Sequence, residues 1–161
     1  MTITVEQIRS TPWHRYGQPE FNRPTAVADA LIEMWQADDE LQICEDACNK
    51  LLDAVANEHR GTYYPVLIYV LPFIEEILRT GNKWQKRVLI CMLDDFMLGY
   101  ECEGVYETLY EPIGGFDRVE EVFKRVMYTM TPVLEQIVRS DEFNTGLAKE
   151  LIGNIEVVSK V

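Results

Sequence analysis

The sequence predicts an all-α domain, a right-handed stack of about three antiparallel helix pairs, and three observations predict it. Apolar residues recur at i, i+3, i+4 and i+7 through most of the 161 residues, the spacing that places them on one face of a helix. Polar turns rich in glycine, asparagine and aspartate separate those runs, and no run of alternating residues demands a sheet. Three segments repeat one layout. The length suits a single domain over residues 1–161 with one core.

The elements follow in order. Ile3 to Ser10 forms one or two helical turns, with Thr4 as the cap. Residues 11 to 24 carry Pro12, Gly17, Pro19 and Pro24 and read as an extended loop, anchored by Trp13, Tyr16 and Phe21; with the first turns it makes an N-terminal segment over 1–23. A helix starts at Pro24 and buries Val27, Ala30, Leu31, Met34 and Trp35. Asp38 is expected to cap the next, whose stripe Leu41, Cys44, Cys48, Leu51, Leu52 and Val55 lies opposite Gln42, Glu45, Asp46, Asn49, Lys50 and Asp53. Gly61 is expected to close that helix in a left-handed cap. Thr62 to Leu78 is apolar nearly all round and reads as the most buried helix, kinked or split at Pro72. Thr80-Gly81-Asn82 stops it, and Lys83 to Leu98 is the next helix, with Val88, Leu89, Met92 and Phe96 inward. Residues 99–116, GYECEGVYETLYEPIGGF, break the pattern as an acidic, tyrosine-rich insertion loop. Asp117 then caps a helix burying Val119, Val122, Phe123, Val126, Met127 and Met130; Pro132 bends or restarts it, and a last helix carries Leu147, Leu151, Ile152, Ile155 and Val158.

The repeat comprises Leu31 to Leu52, Phe73 to Asp94 and Val133 to Ile152. Each copy has an apolar pair, a glutamate (Glu33, Glu75, Glu135), two more apolar positions, a polar turn and a second amphipathic helix. Pro72 and Pro132 immediately precede this element in the last two copies. A helix pair with one apolar side cannot hide it alone, so neighbouring pairs stack and share a core.

Gly61, Thr62, Tyr63, Tyr64, Pro72, Phe73, Ile74 and Arg87 fall in the stretch HRGTYYPVLIYVLPFIEEILRTGN and the KRVLICMLDDF that follows. This stretch resembles the HEAT-like helical proteins found among immunity proteins of bacterial polymorphic toxin systems. The similarity extends over roughly residues 24 to 155 and is distinctive only from Gly61 to Phe96. It implies a HEAT-like α-solenoid and a small cytoplasmic neutraliser that binds a cognate toxin domain. It brings no catalytic signature.

Charge narrows the partner. The chain carries a net charge of -12. Residues 33–58 hold eight acids against Lys50, and residues 94–121 nine against Arg118, whereas five bases and two acids lie between 60 and 91. Such a surface repels nucleic-acid phosphates and attracts a basic protein. No apolar stretch approaches the ~20 residues of a membrane span, and the first residues lack the charged lead and apolar core of a signal peptide. These features predict a cytoplasmic protein with no membrane or nucleic-acid partner, homo-oligomerisation remaining open.

No catalytic motif emerges. The chain has no GxxxxGK, GxGxxG or HExxH. Cys102 reads as the most exposed thiol, but Glu101 and Glu103 disfavour its thiolate. Cys44, Cys48 and His59 lack the close pairing of a zinc site. Asp94 and Asp95 point about 100° apart on a helix, Asp95 being nearer the apolar face. The expectation is therefore no enzyme, no cofactor and no metal. Binding is expected on two surfaces: Tyr100, Glu101, Glu103, Tyr106, Glu107, Tyr110 and Glu111 in the insertion, and Asp38, Asp39 and Asp46, with Glu45 and Asp53, beside the second helix. The alternative is a general HEAT-like scaffold or adaptor, making contact through Tyr63, Tyr64 and Tyr69 or the N-terminal loop.

Overall fold

In the computed structural model, which describes residues 2–106 and 118–160, Thr4 starts α1 (Val5–Ser10) through a capping box. Its hydroxyl accepts from the Gln7 N–H at 3.1 Å, and its own N–H donates to Gln7 Oε1 at 2.9 Å. The loop that follows holds a short 3-10 turn, Trp13–Arg15. Trp13 is buried and its Nε1–H donates to the Ile8 carbonyl at 2.7 Å. Tyr16 stacks on Tyr69 with ring centres 3.5 Å apart. Phe21, the third expected anchor, is instead 70% exposed. Asn22 fixes this part of the loop, donating from Nδ2 to the Ala54 carbonyl at 2.8 Å.

Helix α2 (Ala26–Gln36) starts just after Pro24, and α3 (Leu41–Val55) follows with Glu40 at its N-cap. The expected Asp38 cap is therefore displaced by two residues; the Asp38 carbonyl instead accepts from the Glu40 N–H at 2.7 Å. Nor does α3 reach Gly61. The chain leaves it for a small sheet in which β1 (Ala56–Asn57) pairs antiparallel with β2 (Thr62–Tyr63), and β2 pairs parallel with β3 (Glu101–Cys102). A sheet and a strand at Thr62 correct the purely helical expectation. Strands of two residues are too short to display a period of two; the β-branched and aromatic content of Thr62-Tyr63 is a signal for β2, and Ala56-Asn57 and Glu101-Cys102 carry none.

Gly61 does adopt the left-handed conformation, with φ of +62°, but in the turn between β1 and β2 rather than at a helix end. A Cβ there would meet the Gly99 carbonyl oxygen no closer than 3.4 Å, so the cost of a side chain is conformational. Gly61→Ala is expected to lower stability by about 1–2 kcal/mol, with Gly61→Asn costing less. Urea unfolding of the three proteins checks the ranking.

Helix α4 (Val66–Thr80) runs through Pro72 as one element, so of the two expected outcomes, a kink or a split, the split does not occur. Pro132 does restart the chain: α6 (Val119–Thr129) ends before it, and α7 (Thr131–Ser140) has it in the first turn, where a missing N–H costs nothing. Ten residues of α4 are buried, making it the centre of the molecule. It packs on α2, α6, α7 and α5 (Lys83–Gly99); α5 also packs on α3 and α8 (Thr145–Ser159), and α8 on α6 and α7. The molecule is thus mostly helical with one three-stranded sheet. Tyr63 on β2, Phe96 on α5 and Phe123 on α6 join the sheet to the helices, with ring centres 5.0–6.5 Å apart. No helix among the described residues is long and apolar enough to cross a membrane.

Candidate interaction surface

Alternating tyrosines and acids predicted one exposed surface after α5, but the described part divides between outward and inward residues. Glu101 is exposed on β3. Glu103 turns back into the fold: it accepts from Arg60 Nη1 at 3.0 Å and Thr62 Oγ1 at 2.7 Å, while its N–H donates to the Tyr63 carbonyl. Only 12% of its side chain is exposed, so this carboxylate chiefly holds β3 against β2. Tyr106 packs on Tyr64, 5.8 Å between ring centres, and over Gly17, where a Cβ would sit 2.7 Å from the Tyr106 ring. Tyr100 is half-buried and meets Phe96 edge to face at 5.0 Å. Glu107, Tyr110 and Glu111 lie outside the described residues, as does Asp117. Of the alternative contact set, Tyr63 and Tyr64 are buried and Tyr69 lies under Tyr16, whereas the N-terminal loop keeps Phe21 exposed.

The acids beside α3 are exposed. Asp46 accepts from Gln42 Nε2 at 2.9 Å, one turn away. Asp38, Asp39 and Glu45 have no ion pair or side-chain hydrogen bond among the described residues. Cys44 and Cys48 face the other way. Both are buried, and the Cys48 thiol donates to the Val88 carbonyl at 3.6 Å and lies 3.8 Å from Met92 Sδ. Burial, with the neighbouring Cys91 and Cys44 thiols adding, pushes its pKa up to about 12.

Between α3 and α5 runs an open groove of about 280 Å³. Its floor is apolar, with Leu52, Val88 and Met92; Glu45, Glu58 and Asp95 line it, and Tyr100 closes one end. Tyr100 thus links the two surfaces that the sequence offered separately. Sequence reasoning missed Glu58 and Asp95 as groove residues, although Arg87, Cys91 and Asp95 form an i, i+4, i+8 line along one face of α5. The two adjacent aspartates also exchange expected roles. Asp94 is the half-buried one, accepting from Asn154 Nδ2 of α8 at 2.7 Å, and Asp95 is exposed on the groove. Burial raises the Asp95 carboxyl above its ordinary range, with Asp94 adding to the effect.

The thiols likewise differ from expectation. Cys91 is the exposed one, whereas the Cys102 thiol is half-buried and donates to the Tyr106 carbonyl at 3.3 Å. Burial raises the Cys91 thiol; Arg87 opposes this, and Asp95 and Asp94 reinforce it. A raised thiol is a poor nucleophile at neutral pH. Among the described residues, no group of three or more His, Cys, Asp or Glu is placed to hold a metal ion.

No protein-family model, curated protein or solved structure matches the chain.

Proposed function

We propose that this chain is a non-catalytic, cytoplasmic immunity protein that neutralises a cognate bacterial toxin domain by direct contact through its acidic surface. The observation that carries the reading is the row of exposed, unpaired carboxylates at Asp38, Asp39 and Glu45, beside a groove with an apolar floor. Carboxylates in the turn before α3 and on its exposed face, without internal partners, stay available to a basic protein, and the groove offers the apolar contact that charge alone lacks.

The scaffold for this surface is proposed to be a HEAT-like, right-handed stack of three pairs: α2 with α3, α4 with α5, and α7 with α8. The packing partners support it, because α2, α4 and α7 make successive contacts in one layer, and α3, α5 and α8 in the other. Two asparagines at corresponding turns support it further. Asn82 Nδ2 donates to the Ala37 carbonyl at 3.1 Å, and Asn144 Nδ2 to the Lys83 carbonyl at 3.0 Å, each reaching the turn of the preceding pair.

Affinity capture from the native host at moderate salt, followed by co-expression, tests the function. The expected result is recovery of a small basic toxin domain whose toxicity this chain suppresses. Reversing Asp38, Asp39 and Asp46 to lysine is expected to weaken capture about tenfold or more, with the loss largest at low salt. Glu103→Lys is expected to loosen the β2–β3 pairing instead and to lower the melting temperature. A toxin domain that remains lethal on co-expression would refute neutralisation. Capture indifferent to the three reversals would refute the surface. A concentration-dependent mass by light scattering with no heterologous partner would favour a scaffold or adaptor.

A further inference from the structure

We propose that the groove between α3 and α5 receives an arginine side chain of the basic partner, its guanidinium seated among Glu58, Asp95 and Tyr100. The inference rests on the protein-binding reading above and specifies what that partner presents.

Charge complementarity selects the occupant. Glu45, Glu58 and Asp95 line the groove against one cation, Arg87. The Arg87 guanidinium lies 5.0 Å from the centre of the Phe143 ring, which engages it away from the opposite end, where Tyr100 sits. None of the three groove carboxylates is ion-paired among the described residues. Carboxylates that outnumber the cations lining one cleft repel each other, and a guanidinium relieves that repulsion. Gly61 bonds to both Glu58 and Glu101, its N–H donating to the Glu58 carbonyl at 3.2 Å and its carbonyl accepting from the Glu101 N–H at 3.0 Å, which brings Glu58 to the end of the groove where Tyr100 follows Asp95 along the chain.

Size and polarity point the same way. At about 280 Å³ the groove falls just below the roughly 300–1,000 Å³ of small-molecule and cofactor sites, but it admits a single long side chain. Leu52, Val88 and Met92 provide an apolar bed for the methylene stem of an arginine, while the head stays with the carboxylates. Arginine suits this end better than lysine because its planar head pairs with carboxylates and lies against an aromatic ring.

Cys91, exposed on the α5 wall of the groove, is a built-in reporter. The test measures its rate of labelling by N-ethylmaleimide, resolved from the other cysteines by peptide mass spectrometry. The probes are acetyl-Leu-Arg-Leu-amide and the same peptide with citrulline, which keeps the shape and removes the charge. At saturation the arginine peptide is expected to slow labelling about fivefold, with the citrulline peptide leaving the rate nearly unchanged. Glu58→Gln combined with Asp95→Asn is expected to abolish the protection. Both positions are exposed, so an unchanged thermal melt shows that this variant keeps its fold. Equal slowing by both peptides, no slowing by either, or full protection in the double variant would overturn the proposal. Partner capture separates this inference from the functional reading. A captured toxin domain that leaves Cys91 labelling at its free rate refutes the groove assignment and leaves neutralisation standing. Arginine-specific protection without any captured partner upholds the groove chemistry and counts against neutralisation.

Discussion

Phe96→Ala is expected to lower the free energy of unfolding by about 3–5 kcal/mol, the largest effect of any single truncation at the base of the candidate surface. Phe96 is 1% exposed. Its ring meets Tyr63 at 6.1 Å and 74°, Tyr100 at 5.0 Å and 81°, and Phe123 at 6.5 Å and 84°, all edge-to-face geometries that add to simple burial. Deletion leaves a cavity shared by the sheet, α5 and α6. Tyr63 and Phe123 already touch at 5.0 Å and close it only in part. A second consequence is specific to function. Tyr100 rests on Phe96, so the truncation also frees the residue that closes the groove. Phe96→Leu, which retains much of the volume but not the ring edges, is expected to cost about half as much stability while still loosening Tyr100. Urea unfolding measures the first effect, and protection of Cys91 by the arginine peptide measures the second. A Phe96→Ala protein as stable as the parent would mean that the aromatic cluster does not join these elements.

The helices were legible because their apolar stripes are long. Leu41 to Val55 offers four turns of a 3.6-residue period, and α3 occupies the same residues. The sheet was not, because each strand has two residues and its pairing is set by tertiary context. Val55 ends α3, its carbonyl accepts from the Tyr64 N–H at 2.9 Å, and β3 arrives from nearly forty residues further along the chain. Gly61 illustrates the division: composition specified a left-handed residue, but not whether it ended a helix or turned a hairpin. The same limit applies to the candidate surface. A row of acids and tyrosines reads from sequence as exposed, yet Glu103 bonds to Arg60 and Thr62, and Tyr106 fills the space above Gly17. Which member of such a row turns inward depends on neighbours remote in sequence. The groove was harder still, since it exists only where α3 and α5 lie side by side.

Gln85 ties the start of α5 to the end of α2, the partner of α3, which makes Gln85→Leu the most informative test of how the pairs are joined. Gln85 is 4% exposed, and three hydrogen bonds converge on its amide. Nε2 donates to the carbonyls of Met34 at 2.7 Å and Trp35 at 3.0 Å, in the last turn of α2, where no further turn of helix supplies donors. Oε1 accepts from the Asn82 N–H at 2.8 Å, completing the capping box that starts α5. One side chain therefore ends the helix before α3 and begins the helix opposite it. Leucine fits the volume and satisfies none of these groups. With each unmet buried polar group costing about 1–3 kcal/mol, Gln85→Leu is expected to lose about 3–5 kcal/mol. Gln85→Glu separates hydrogen bonding from shape. Its carboxylate can still accept from Asn82, but the other oxygen faces two carbonyls and must be protonated to donate to either. The folded state therefore holds this carboxyl above its unfolded value of about 4.3. Its stabilising bonds are present in full below that value and are lost as pH rises through the raised one. Relative to the parent, Gln85→Glu should thus grow progressively less stable from acid towards neutral pH, while the deficit of Gln85→Leu stays constant. Unfolding curves collected across that range distinguish the two, and a pH-independent deficit for the glutamate variant would show that Gln85 acts by packing rather than by its amide.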